Sequence, residues 1–291
     1  MADFQFIQDS LSRLWVIMAP RRQDRPNIAK NTEPAICPFC IGREADEEEL
    51  FRIGGEPHDA NWQIRVLPNK YPFGPHHEVI IHSPDHHKNI DELPVDFVQL
   101  LLQAYKARFL MHQRQGNVYI FHNHGIEGGE SLPHPHTQLV VIPREITLQI
   151  PVLPPLPAMY QMTDLFTIFC PDASQWPDEV WIAPKENGES FGNISDAQIA
   201  DLALVLQRVI QLMDMRHGHE FPFNFYISPE EKWYIRLIPR LKRLGGFELG
   251  TNVFVNTQDP KETIAFIKAH FDNPDVEKIE RENRAEYATG V

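Results

Sequence analysis

Apolar residues recur along the chain at two periods, and the order in which those periods alternate is itself repeated. The first copy opens at Glu78 with the β-branched run of EVIIHSPDHHKNI and continues into PVDFVQLLLQAYKARFLMHQR, whose apolar positions return at helical spacing. NVYIFHN then reads as a strand, and HTQLVVIPR closes the copy at Arg144. The second copy reads EVWIAPKENGESFGNI from Glu179, SDAQIADLALVLQRVIQLMDMR, FNFYIS and KWYIRLIPR, closing at Arg240. Each copy is strand, long helix, strand, turn, strand, and four elements in one order indicate an internal repeat.

Capping chemistry sharpens two helices. After Ser195, residues Ile199, Leu202, Leu206, Val209, Ile210 and Met213 fall near helical spacing, and Ser195 with Gln198 fits a capping box. A last helix is expected to start at Asp259-Pro260, with Pro260 at its first position and Glu262 in its first turn. PVLPPLPAMY is a proline-rich extended connector, which sets a boundary between the halves near residues 150–160. The expected fold is α+β, with halves 1–150 and 151–291 forming mixed or antiparallel sheets flanked by helices and packing into one body.

Bulk composition narrows the function classes. A chain of 291 residues with 42% hydrophobic and 23% charged residues has the balance of an ordinary globular protein. No apolar run approaches the roughly 18–20 residues of a membrane span. MADFQFIQDSLSRLW has acidic residues and no basic region ahead of an apolar core, so it is not a secretory signal, and a cytoplasmic location is the default. A net charge of −13 argues against a general nucleic-acid binder, although a few arginines suffice for a small phosphate-bearing substrate.

The candidate chemistry lies in the first copy. Aligned on the shared Ile-Pro-Arg, it has His134 and His136 where the second has Glu230 and Lys232. Pro135 stiffens the histidine pair, and the extended H-x-H is expected to send its imidazoles to opposite faces, one held by structure and one facing a cleft. FHNHGIEGGES upstream is suited to presenting backbone amides to phosphate. Three cysteines make no disulfide framework, but Cys37 and Cys40 form a C-x-x-C that lets two thiolates reach one tetrahedral ion. With no second such pair, the remaining ligands must be nitrogen or oxygen, His86 and His134 being the best candidates. A redox pair or two inert buried cysteines are the alternatives. His58, His76, His77, His82, His87, His112, His217 and His219 have no comparable setting and read as solvated or core side chains.

These segments together resemble the galactose-1-phosphate uridylyltransferase family, a branch of the histidine-triad superfamily that includes ADP-glucose and dinucleoside-polyphosphate phosphorylases. LWVIMAPRRQDRP, CPFCIGRE, WQIRVLPNKYP, SPDHH, FHNHGIEGGESLPHPHTQ and GGFELGTN follow in family order, and the HPHxQ block is the most specific. The resemblance implies two histidine-triad-like halves, the second degenerate. It implies structural zinc on Cys37, Cys40, His86 and His134, and His136 as the nucleophile that becomes nucleotidylated. Gln138, Ser131 and Asn123 match groups holding the phosphates. Arg22 and Arg25 match arginines reaching the nucleotide, one of them across a homodimer interface. Asn69 matches the asparagine near base or ribose, and Lys242 and Glu248 fall near the sugar-phosphate positions. The implied substrates are a nucleotide-sugar and a sugar phosphate or phosphate.

The departures are specific. Thr137 replaces the glycine of the best-known uridylyltransferases, Tyr234 and Arg236 stand where a second metal site would be, and Phe254 follows where a hexose-contacting glutamine is expected. FELGTNVFVN is more like the archaeal, thermophilic and adenylyl-transferring branches. A histidine-triad hydrolase and a non-enzymatic nucleotide or zinc-binding module are the rival classes. Gln138 in place of a third histidine favours transfer over hydrolysis.

Overall fold

A computed structural model describes residues 3–25, 37–156, 159–186 and 189–274. The proline-containing stretch before Cys37, Pro26 of the arginine segment and residues 157–158 of the connector lie outside the described residues. The chain begins with a hairpin of β1 (Gln5–Gln8) and β2 (Trp15–Met18), followed by a 3-10 turn at Pro20–Asp24. Three strands follow, β3 (Phe51–Ile53), β4 (Ile64–Pro68) and β5 (His77–Ile81), leading into helix α1 (Val95–His112). Next come β6 (Asn117–His124) and β7 (His136–Ile142), then β8 (Gln161–Met162), β9 (Phe166–Phe169) and β10 (Val180–Pro184). Helix α2 (Asp196–His217), strands β11 (Phe223–Ile227) and β12 (Ile235–Pro239), and helices α3 (Gly246–Thr251) and α4 (Pro260–His270) complete the order.

Both expected caps are present. Ser195 Oγ accepts from the Gln198 amide at 3.2 Å while Gln198 Oε1 accepts from the Ser195 amide at 2.8 Å. Asp259 caps α4 with Pro260 at its first position. The predicted apolar positions of α2 are all buried, because they form the stripe that meets the sheet.

Ten strands form one antiparallel sheet in the order β3-β4-β5-β7-β6-β11-β12-β10-β9-β8. The repeated strands are mirrored about the β6–β11 pair, where Asn123 faces Asn224 and Phe121 faces Tyr226. Alternation then assigns the faces. Ile80, Leu139, Ile120, Phe225 and Leu237 point to the side covered by α1, α2 and α4, in a large apolar core. The other face carries His77, Val79, His136 and Gln138 in one half and Trp181, Tyr226 and Tyr234 in the other. On that second face the hairpin covers Val140 and Ile142, and the connector covers Tyr226 and Tyr234. A stretch of sheet between them stays open around His136.

Candidate active site

β7 begins at His136 and carries His136 and Gln138 on the open face, with Thr137 buried on the helix side. The cavity there is lined by His136, Gln138, Asn69, Ser131 and Arg25, and by the apolar side chains of Phe39, Leu67, Val79 and Leu132. Among its walls are also Tyr71 and an ion pair between Lys70 and Glu47.

The His136 ring is held by its own backbone neighbourhood. Nδ1 lies 2.9 Å from the His134 carbonyl, which can only accept, so Nδ1 carries the proton and Nε2 has a free lone pair. Burial drives the imidazolium pKa down to about 4, and the positive Arg25 works in the same direction. At neutral pH the side chain is therefore an uncharged imidazole.

His134 belongs to a separate cluster. The ligand atoms of Cys37, Cys40, His86 and His134 lie within 4.8 Å of one another. Cys40 Sγ is 3.2 Å from His86 Nδ1 and 3.7 Å from His134 Nδ1, and Cys37 Sγ is 3.6 Å from His134 Nδ1. A tetrahedral ion with S and N ligands has S···N edges of about 3.5 Å from its usual bond lengths. His134 Nε2 donates to the Ser83 carbonyl at 2.8 Å, which leaves Nδ1 bare toward the cluster, the usual outer support of a metal-bound imidazole. Burial pushes the Cys37 thiol up to about 11, so a thiolate there needs a cation beside it. The donor set and spacing fit a metal ion.

The division between the two histidines does not come from strand alternation, contrary to the expectation from the H-x-H spacing. In a strand, positions i and i+2 share a face. His134 escapes this because it precedes the strand, with Pro135 between it and the first β7 residue, so its ring turns to the cysteine loop. Phe39, inside that loop, packs edge-on against both rings, at 6.0 Å and 5.4 Å.

The arginines arrive from the 3-10 turn after β2. Arg25 donates to Ser131 Oγ at 2.5 Å. Arg22 donates to the Tyr71 carbonyl at 2.6 Å and lies over the Phe73 ring at 4.8 Å. Among the described residues no ion pair involves either one. Burial, together with the neighbouring Arg25, lowers the Arg22 pKa to about 10, and burial also lowers that of Arg25. Two partly desolvated guanidinium groups without carboxylate partners make an anion site.

Asn123 is on the same face, but its carboxamide oxygen is already taken by Asn224 Nδ2 at 2.9 Å. Asn224 is itself fixed by the Gly128 carbonyl at 2.7 Å and by Arg240 at 2.8 Å. Gly128 is confined here, since a Cβ would stand 2.1 Å from the His124 carbonyl oxygen and 2.9 Å from that of Phe223. Lys242 and Glu248 are brought together at 2.8 Å, but with each other, and neither lines the cavity at His136.

Sequence reasoning missed three contributors. His77, read as an ordinary histidine, contacts Gln138 in the cavity wall. Asn224 and Arg240 come from the second half and act on Asn123. Alternation along β5 puts His77 on one face with Val79 and Ile81, but only the pairing of β5 with β7 brings that face to Gln138.

The chain is similar to several known proteins. The family model for the amino-terminal domain of galactose-1-phosphate uridyl transferase matches residues 61–141, from β4 through β7. An ADP-glucose phosphorylase of Arabidopsis thaliana is 28% identical across 88% of this chain and 90% of its own length. A galactose-1-phosphate uridylyltransferase of Thermotoga maritima is 26% identical across 85% of this chain and 92% of its own. A crystal structure of an Arabidopsis thaliana ADP-glucose phosphorylase with bound ADP-glucose superposes with a TM-score of 0.70 and 25% identity, covering 91% of this chain and 98% of that one. The chain is thus similar over most of its length to an ADP-glucose phosphorylase and to a galactose-1-phosphate uridylyltransferase, and residues 61–141 match the uridyl transferase amino-terminal domain.

Proposed function

We propose that the protein is a nucleotidyltransferase that moves a nucleoside monophosphate, UMP or AMP, from a nucleotide-sugar to a sugar 1-phosphate or phosphate through a covalent intermediate on His136. The observation that carries this reading is the neutral, buried His136, with Nδ1 committed to the His134 carbonyl and Nε2 free beside Gln138. Nε2 attacks the α-phosphorus, an N–P bond forms, and the P–O bond to the sugar phosphate breaks. The phosphorylated ring gains positive charge, which the His134 carbonyl stabilises through the retained Nδ1 proton. The acceptor's phosphate oxygen then attacks phosphorus and the N–P bond breaks, returning the neutral imidazole.

Gln138, Ser131 and Asn123 hold phosphate oxygens, and Arg22 and Arg25 offset their charge. Loss of one preorganised donor typically costs about 2.7–4 kcal/mol of barrier. Asn69 and the apolar wall of Leu67, Val79 and Phe39 receive the nucleoside, and Lys242 with Glu248 serves the sugar-phosphate end. Cys37, Cys40, His86 and His134 would hold a structural zinc ion, which would keep the segment before β7 rigid. The halves 1–150 and 151–291 divide the work, the first carrying the chemistry. On resemblance and charge we assign a cytoplasmic homodimer acting on small molecules and not on nucleic acid; among the described residues no helix is long and apolar enough to cross a membrane.

A second reading specifies the acceptor as inorganic phosphate and the donor as an ADP-sugar, and is favoured by the 28% identity to the ADP-glucose phosphorylase over nine-tenths of that protein's length. Incubation with UDP-, ADP- and GDP-sugars, read by intact mass, is expected to add one nucleoside monophosphate to the wild type and none to His136→Ala. Discharge of the adduct by inorganic phosphate or by hexose 1-phosphate separates the two readings. No adduct and no exchange with any donor overturns both.

A further inference from the structure

A carboxamide that must donate to a phosphate has to be prevented from presenting its oxygen instead. Gln138 is held in this way by groups whose own polarity is fixed by backbone amides. The Phe73 amide, which can only donate, points at His77 Nδ1 at 3.3 Å. His77 Nδ1 is therefore bare and Nε2 carries the proton. Gln138 Oε1 lies 3.0 Å from that Nε2 and accepts from it. The Tyr71 amide donates to Asn69 Oδ1 at 2.9 Å, which turns Asn69 Nδ2 toward the same Gln138 oxygen at 3.4 Å. Two donors thus converge on Oε1, and among the described residues the Gln138 Nε2 has no hydrogen-bond partner. Only the cavity side remains for it.

His77 is suited to this task because it stays neutral. Burial holds its imidazolium pKa down to about 3, and the ring packs against Phe73 at 4.3 Å between centroids. A protonated ring would set an N–H against the Phe73 N–H.

We propose that His77 is a positioning residue for nucleotidyl transfer, fixing the Gln138 carboxamide so that its NH2 group faces the phosphate beside His136. The inference rests on the transfer reading above and adds a role for a residue that does not touch substrate. It implies that the identity of the atom at the His77 Nε2 position, donor or not, controls the rate through Gln138 alone.

The test compares His77→Gln with His77→Met. The two side chains are unbranched and of similar length, and both lose the acceptor for the Phe73 amide, so this structural loss cancels between them. Only glutamine keeps a donor for Gln138 Oε1. The rate of adduct formation from a saturating nucleotide-sugar is expected to be about fivefold to tenfold lower in His77→Met than in His77→Gln, the effect of one neutral hydrogen bond, with the half-saturating concentration unchanged. In a Gln138→Met background the same exchange is expected to change nothing. Equal rates of His77→Gln and His77→Met with Gln138 intact overturn the proposal, and so does a gap that persists in Gln138→Met. If His77→Met does not fold, His77→Phe takes its place in the same cycle. A wild-type protein that forms no adduct removes the transfer reading, whereas adduct formation indifferent to the donor removes only the role of His77.

Discussion

Thr137 lies between the two residues that face the cavity, and its replacement by valine gives a well-defined prediction. The side chain points away from the cavity and is fully buried. Its hydroxyl is 2.5 Å from the Tyr105 hydroxyl of α1 and 2.8 Å from His82 Nε2 on the segment after β5. Tyr105 and His82 are both fully buried, and a 3.4 Å contact between them is the next nearest partner for either. Valine keeps the volume and removes the hydroxyl, so two buried polar groups lose their common partner. Each such group costs about 1–3 kcal/mol, and the residual Tyr105–His82 contact recovers part of one, which gives a net loss of about 2–4 kcal/mol. At about 2–4 °C per kcal/mol for a chain of this size class, Tm falls by roughly 4–16 °C. Adding Tyr105→Phe removes one of the stranded groups and is expected to restore part of the loss. Urea denaturation measures both variants, and adduct formation per folded molecule should stay near the wild-type rate because the lesion is on the helix side of the sheet. A wild-type denaturation midpoint for Thr137→Val, or a collapse of adduct formation at unchanged stability, would refute the reasoning.

Two further outcomes follow from the site and its surroundings. Metal analysis is expected to find one ion per chain, and a chelator or Cys40→Ser to lower both Tm and the rate of adduct formation, since the segment before β7 loses its anchor; a metal-free protein of unchanged Tm removes the assignment. Glu130, whose carboxylate accepts from the Gly125 amide at 2.7 Å, is raised by burial from 4.5 to about 7. Its folded pKa is above the unfolded one, so the folded state holds the extra proton, and stability from this group is full below pH 4.5 and lost as pH rises through about 7. Glu130→Gln should therefore gain stability over wild type at pH 8, by at most about 3 kcal/mol, and little at pH 4.5, in paired denaturation curves.

Local signals made much of this molecule legible. The Ser195–Gln198 box, the Asp259-Pro260 start and the β-branched runs of β6 and β7 each fix their own backbone through neighbours in sequence. The cluster of Cys37, Cys40, His86 and His134 was also readable, because C-x-x-C restricts its partners to a short list of histidines. What stayed hidden depends on sheet order. His77 meets Gln138 only because β5 pairs with β7, and Asn224 meets Asn123 only because β6 pairs with β11. No sequence-local pattern states which strand edge meets which. The β1–β2 hairpin escaped for another reason, since its short strands alternate between exposed and half-buried positions without a strong apolar face.

Among the described residues, the second half of the sheet is covered where the first presents the cavity at His136. Aligned on Ile-Pro-Arg, the place of Gln138 is taken by Tyr234, which stacks on Trp181 at 4.1 Å and donates to the Pro151 carbonyl of the connector. Ile150, Leu153 and Tyr160 of that connector pack onto Phe169, Trp181, Tyr226 and Tyr234, closing the face that stays open in the first half. Arg236, two residues on, is committed to a buried pair with Glu179 at 2.7 Å and is unavailable to an anion. The second half has thus exchanged a polar cleft for an aromatic core, and the same connector that links the halves seals it. Its contacts with the first half run across the β6–β11 seam instead. Arg240 holds Asn224, Asn224 occupies the oxygen of Asn123, and the Asn123 NH2 group is left for the phosphate side. On the transfer reading proposed above, a half with Lys232 at the position of His136 still takes part in the site, because its Asn224 and Arg240 orient the Asn123 carboxamide.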